Sequence, residues 1–106
     1  MMNKTLEDLK SRRSCRDFKS DMIPEEELKA IIEAGTYAPT GHGKQSPIII
    51  AITNKEIRDK VAEENRKIAD FKEEIDPFYG APAMLIVLAR KDWPTGIYDG
   101  SLVMGN

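Results

Sequence analysis

Apolar residues recur at helical spacing close to the start of the chain. A pattern like a capping box, Thr5 followed by Asp8, accompanies two leucines one turn apart, Leu6 and Leu9. We therefore predict a short first helix that ends near Ser11 or at the next residue.

The second helix carries the strongest pattern in the chain. Pro24 suits the first turn of a helix, and the three glutamates after it complement the positive end of the helix dipole. Leu28, Ile31, Ile32 and Gly35 then follow at positions i, i+3, i+4 and i+7, which places them on one face.

A third, longer amphipathic helix with a highly charged outer face is predicted from apolar residues at helical spacing: Ile57, Val61, Ala62, Ile68, Phe71 and Ile75. A break near Glu64 is compatible with this pattern. Asp76 and Pro77 are predicted to stop the helix.

Two apolar runs, residues 48–53 and residues 83–89, predict buried strands, and the second run is apolar throughout, as in a strand covered on both faces. After a turn at residues 93–96, residues 99–106 resemble the opening of a further helix. Strands with helices between them predict a layered arrangement of sheet and helices. A central strand needs neighbours on both sides, so we expect either a longer polypeptide or a partner chain to complete the sheet.

Composition and charge exclude some classes of function. Sixteen basic and eighteen acidic residues give a net charge of −2, which provides no global field for nonspecific binding of nucleic acid. The single cysteine, Cys15, cannot form an intrachain disulfide, and no secretory segment is evident, so a cytoplasmic location is expected. The apolar runs are far shorter than the roughly 20 residues that cross a bilayer, so no membrane span is predicted.

Three arginines, Arg12, Arg13 and Arg16, lie within five positions of one another in the run SRRSCRDF. Guanidinium groups match phosphate oxygens, and the Ser14 hydroxyl adds a donor, so a phosphate site is one interpretation. The other is a solvated basic turn in which Asp8 and Asp17 neutralise the arginines.

The run YAPTGHGKQSP forms a predicted loop over residues 38–47. Thr40 and Gln45 offer polar groups, and Gly41 and Gly43 allow the backbone to approach a planar ligand closely, so the loop could line a cofactor or serve only as a turn. His42, the only histidine, lacks the company that a metal site requires.

Taken in order, these segments resemble the nitroreductase family of FMN-dependent enzymes over essentially the whole chain. The family's R-R-S-x-R-x-F signature is filled by Arg12, Arg13, Ser14, Arg16 and Phe18. Its A-P-S-x-x-N-x-Q-P-W loop is matched at Ala38, Pro39, Thr40 and Gln45, its A-P strand start at Ala81 and Pro82, and its D-x-G-x-A-x-x-N helix at Asp99 and Asn106. The chain departs from the family at Gly43, at Ser46 and Pro47, and at Gly100 and Ser101.

The resemblance implies an α+β fold in which residues 1–106 are the N-terminal portion of a single domain. It implies that FMN is held through its phosphate and ribityl chain by four residues: Arg12, Arg13, Ser14 and Arg16. It further implies that the loop of the other subunit contacts the ring in a homodimer, through Pro39, Thr40 and Gly41, with Gly43 and Gln45 in the same loop.

The same resemblance implies that NAD(P)H reduces FMN, which then passes electrons to an electron-poor small molecule such as a nitroaromatic or a quinone. No acid or base side chain is required. Two alternatives remain, a flavin-binding module without turnover and an interaction domain whose arginines only pair with acids. Family members continue past Asn106, so a truncated chain is the expected explanation for the missing strands.

Overall fold

The computed structural model describes residues 3–72 and 74–106. The described residues form four α-helices and two strands. The helices are α1 (Lys4–Ser11), α2 (Glu25–Thr36), α3 (Lys55–Ile68) and α4 (Gly96–Gly105), and the strands are β1 (Ile48–Ile52) and β2 (Met84–Leu88). The strands pair antiparallel, with Ile48 opposite Leu88 and Ile52 opposite Met84. This arrangement confirms the predicted α+β class. None of the described helices is long and apolar enough to span a membrane.

The apolar core lies where α2, α3 and α4 meet the sheet, and its buried members are small or of moderate size: Ala38, Ile52, Ala62, Met84 and Val103. Much of the sheet stays exposed within the described residues, since Ile48 is 59% and Leu88 46% exposed. The prediction that the second strand is covered on both faces is therefore wrong for this chain taken alone. Leu85 and Leu88 are 39% and 46% exposed, so the helices of this chain leave part of β2 uncovered.

Helix starts differ in detail from the sequence prediction. The side chain of Asn3 caps α1 by accepting a hydrogen bond from the Leu6 N–H at 3.0 Å, and Asp8 forms an ion pair with Lys4 instead of closing a capping box. Pro24 occupies the cap position of α2 and lies outside its first turn. Helix α4 starts at Gly96, before the predicted start at Asp99.

The third helix is shorter than the sequence predicts. It ends at Ile68 and shows no break at Glu64, whereas the apolar spacing continues to Ile75. Asp70 adopts a left-handed backbone with φ of 57°, and the Phe71 N–H returns to the Arg66 carbonyl at 3.0 Å. This helix-ending geometry stops α3 before the later apolar residues can join it.

A buried arginine secures the segment between α3 and β2. Arg58 is 8% exposed, and its guanidinium donates to the Ala81 carbonyl at 2.8 Å and to the Asp76 carboxylate at 2.5 Å. Asp76 also accepts the N–H groups of Phe78 and Gly80, each at 2.9 Å. Burial acts to raise the pKa of Asp76, but these N–H groups and the guanidinium outweigh it, so the pKa is lowered overall.

This lowered pKa predicts an acid-sensitive contribution to stability. The charged Asp76 stabilises the fold fully above the pKa of an unfolded aspartate, about 3.9, and the contribution is lost as the pH falls through the lower folded pKa. We expect Asp76→Asn to be less stable than the wild type at pH 7 and to lose less stability between pH 5 and pH 2, measured by urea unfolding. Asp70→Asn, an exposed position, is the control and should follow the wild type. Parallel losses in wild type and Asp76→Asn would contradict this assignment.

Candidate functional site

The arginine cluster, residues 12–16, emerges directly from the end of α1, where Arg12 is the C-cap and its N–H bonds to the Asp8 carbonyl at 3.1 Å. Arg13 folds back on the helix end and donates to the carbonyls of Lys10 at 3.2 Å and Arg12 at 2.8 Å. Every residue of the cluster is exposed. The helix end thus gathers three cations on one accessible turn.

The acids nearest in sequence form no ion pair with this cluster in the part of the chain that the structure describes. Among the residues described, the guanidinium groups of Arg12 and Arg16 have neither an ion pair nor a hydrogen-bond partner. Asp8 is paired with Lys4, and Asp17 forms no ion pair within residues 3–72 and 74–106. The predicted pairing of the arginines with Asp8 and Asp17 is therefore absent among the described residues, although the turn is exposed to solvent as that interpretation expects. Two unpaired guanidinium groups and a serine hydroxyl at one helix end suit an anion with several oxygens.

The glycine-bearing loop, residues 39–45, is held by its own polar side chains. The Thr40 hydroxyl accepts the Gln45 N–H at 2.9 Å and donates to the Gln45 side-chain oxygen at 2.7 Å. The Gln45 amide donates to the carbonyl of Thr36 at 3.0 Å, at the end of α2. Backbone φ is positive at His42, Gly43 and Gln45, which gives the loop its sharp reversal.

A second anchor of this loop was not predicted as a site residue. The N–H of Gly41 donates to one carboxylate oxygen of Asp99 at 2.9 Å, and the Thr95 hydroxyl donates to the other at 2.9 Å. Asp99 is 1% exposed. A Cβ on Gly41 would lie 2.3 Å from the Thr95 hydroxyl oxygen, so any other residue would force Thr95 or the loop to shift. Family matching pointed to Asp99, but nothing in the local sequence connects it to a loop 58 residues away.

A cavity of about 270 Å³ lies beside the loop, between α2, β1 and α4. Thr40 and Gln45 line it together with apolar groups that include Ile49 and Val103. The arginine cluster does not contribute to this cavity. Within one chain the structure thus brings together Arg12, Arg13, Ser14 and Arg16 on one turn. It brings together Pro39, Thr40, Gly41, Gly43 and Gln45 on one loop, but it does not join the two groups.

These features define an α+β protein with an exposed cluster of arginines and a separate loop shaped for close approach. The model of the Nitroreductase family matches residues 9–101, and the chain belongs to that family. The family membership predicted from the ordered motifs is confirmed.

Similar proteins with known names or solved structures agree with this family membership. A protein named FMN reductase [NAD(P)H] from Bacillus subtilis strain 168 is 32% identical over 62 residues, which are 58% of this chain and 25% of that protein. A nitroreductase from Desulfitobacterium hafniense with bound FMN superposes with a TM-score of 0.85 at 31% identity, over 99% of this chain and 62% of its own. A nitroreductase from Bacteroides fragilis, also with bound FMN, superposes with a TM-score of 0.89 at 26% identity. The match covers 98% of this chain and 62% of that one. The chain therefore spans a quarter of the first relative and less than two thirds of each solved chain.

Proposed function

We propose that the intact protein is an FMN-dependent oxidoreductase that passes electrons from NAD(P)H to an electron-poor small molecule such as a nitroaromatic or a quinone. Its family membership supports this reaction class, and so does the name of the Bacillus subtilis relative. The FMN bound in two similar solved structures supports the cofactor. Residues 1–106 are proposed to be the N-terminal portion of a single domain.

The main support for the proposal is that the guanidinium groups of Arg12 and Arg16, at the end of α1, have no partner among the described residues. Arg12 and Arg16 would hold the two or three phosphate oxygens of FMN through charge-assisted hydrogen bonds. The Ser14 hydroxyl would supply another donor. Arg13, whose side chain already closes the helix end, would contribute mainly its positive charge.

The loop at residues 39–45 is proposed to cover the flavin ring from a second copy of the chain. Its contacts would come from Pro39, Thr40, Gly41, Gly43 and Gln45. The separation of the loop cavity from the arginine cluster within one chain supports a site shared between two subunits. The protein is therefore proposed to be a homodimer with FMN at the interface.

Bound FMN supplies reversible two-electron chemistry that no amino-acid side chain provides. The residues of this chain would bind the phosphate, orient the ring and shield one side of it from water. Hydrogen-bond donors at the site would stabilise the negative charge that the ring gains on reduction. No side chain is assigned to proton transfer. An exposed free thiol at Cys15 suits a reducing compartment, and a cytoplasmic location is proposed.

A visible absorption spectrum of the intact protein tests this function. We expect a purified preparation mixed with FMN and passed through a desalting column to remain yellow, and to oxidise NADH or NADPH when a quinone or a nitroaromatic is added. A colourless protein after this treatment would contradict the proposal. If the protein is yellow but oxidises neither dinucleotide, it is a flavin-binding module and the proposed enzymatic activity is rejected.

A further inference from the structure

Asp99 connects the loop of the proposed flavin site to the first turn of α4. Both of its carboxylate oxygens accept hydrogen bonds, one from the Gly41 N–H and the other from the Thr95 hydroxyl. Neither donor is charged, and no ion pair to Asp99 occurs in the part of the chain that the structure describes. Burial of a carboxylate costs solvation free energy that its hydrogen bonds must offset. The Thr95 contact fixes Asp99 at the start of α4, and the Gly41 contact ties the loop to it.

The loop rests against the turn before α4 without room to shift inward. Beyond the close approach of Gly41 to Thr95, the ring of His42 meets the ring of Trp93 edge to face, with centroids 6.5 Å apart. The turn is closely packed, because a Cβ on Gly96 would lie 2.2 Å from the Arg90 carbonyl oxygen and the Gly96 N–H donates to the Trp93 carbonyl at 3.0 Å. Asp99 therefore holds the loop to a rigid support that follows directly from β2.

A shift of Gly41 would also move Thr40 and so change its hydrogen bonds with Gln45. Thr40 precedes Gly41, and its hydroxyl exchanges two hydrogen bonds with Gln45. Thr40 and Gln45 also line the cavity beside the loop. A loop released from Asp99 would lose the backbone geometry on which these contacts depend.

We infer that Asp99 is a positioning residue for the flavin site, which holds residues 39–45 in the conformation that contacts the ring. This inference rests on the proposed function. It assigns Asp99 no contact with FMN or with a substrate. Its effect on the cofactor passes through the N–H of Gly41.

The test compares Asp99→Ala with Asp99→Asn in the intact protein. Alanine removes both acceptors, whereas the oxygen of asparagine can accept from Gly41 and its amide can donate to the Thr95 hydroxyl. For Asp99→Ala we expect the Kd for FMN to rise by about ten-fold or more, because a buried donor that loses its partner costs at least about 1.4 kcal/mol. The visible absorption and circular dichroism of the bound flavin should shift towards free FMN. Asp99→Asn should restore the wild-type spectra, and Asp92→Ala, an exposed control in the preceding turn, should not alter them.

Stability alone does not decide the question, so thermal unfolding is measured without FMN on every variant. If Asp99→Ala unfolds at a lower temperature but binds FMN with wild-type affinity and spectra, Asp99 is purely structural and the inference is overturned. If Asp99→Ala does not fold, Thr95→Val removes the hydroxyl that donates to the other oxygen of Asp99, at a residue that is not itself a proposed flavin contact, and a spectral shift in the same direction is expected. A folded Thr95→Val with wild-type spectra and affinity would also overturn it. Failure of the unmutated protein to bind FMN would instead reject the proposed function, and this inference with it.

Discussion

We expect the double substitution Arg12→Ala and Arg16→Ala to weaken FMN binding to the intact protein by about 100-fold or more. Each charge-assisted hydrogen bond contributes roughly 1.5–3 kcal/mol, so two of them correspond to about two to four powers of ten in Kd. Both side chains are exposed and make no ion pair in the described residues, so their loss should leave the unfolding midpoint nearly unchanged. Quenching of FMN fluorescence on titration with protein measures the effect.

The matched control removes two arginines from elsewhere. Arg66 lies in the last turn of α3, and Arg90 follows β2, where it pairs with Asp92. Arg66→Ala combined with Arg90→Ala changes the net charge by the same amount as the first pair. We expect this control to bind FMN as the wild type does. An equal loss of affinity in both double variants would mean that overall charge, and not the cluster, attracts the cofactor.

We expect Gly96→Ala to destabilise the protein by about 3 kcal/mol, the upper part of the usual range for overpacking. The added Cβ would lie 2.2 Å from the carbonyl oxygen of Arg90 and 3.2 Å from its carbon. Because the obstacle is backbone, it cannot rotate away as a flexible side chain would. Equilibrium unfolding in urea gives the change in the free energy of unfolding.

Gly105→Ala is the control in the same helix. A Cβ there meets nothing within 4 Å, so the substitution should be neutral or should stabilise the helix by about 0.5–1 kcal/mol. Equal effects at the two glycines would show that the turn before α4 is not packed as described. The anchor of the residue 39–45 loop would then lose its rigid support.

The apolar pattern was sufficient to predict the first two helices and both strands. They fall close to the residues predicted from apolar spacing, although the residues that cap the helices differ from those expected. The predicted length of α3 was too great because the apolar spacing continues past Ile68. The left-handed turn at Asp70 that ends the helix depends on local backbone geometry, which the spacing does not reveal. The antiparallel pairing of β1 with β2 joins distant segments, and an apolar run carries no information about strand direction.

The candidate site was only partly predictable for a related reason. The arginine cluster is contiguous in sequence, and its crowding of like charges already points to an anion. Thr40 and Gln45 are also close in sequence, and their hydrogen bonds lie within one loop. The contact of Asp99 with Gly41 is a tertiary contact, and a single aspartate in an apolar helix has no local pattern that names its partner.

Comparison of FMN with riboflavin, which lacks the phosphate, tests the central claim most directly. The ratio of their dissociation constants is measured for the wild type and for the Arg12→Ala and Arg16→Ala double variant. If the guanidinium groups hold the phosphate, the wild type should bind FMN about 100-fold or more tightly than riboflavin, and the variant should bind the two almost equally. A preference for FMN that survives in the variant would contradict the assignment.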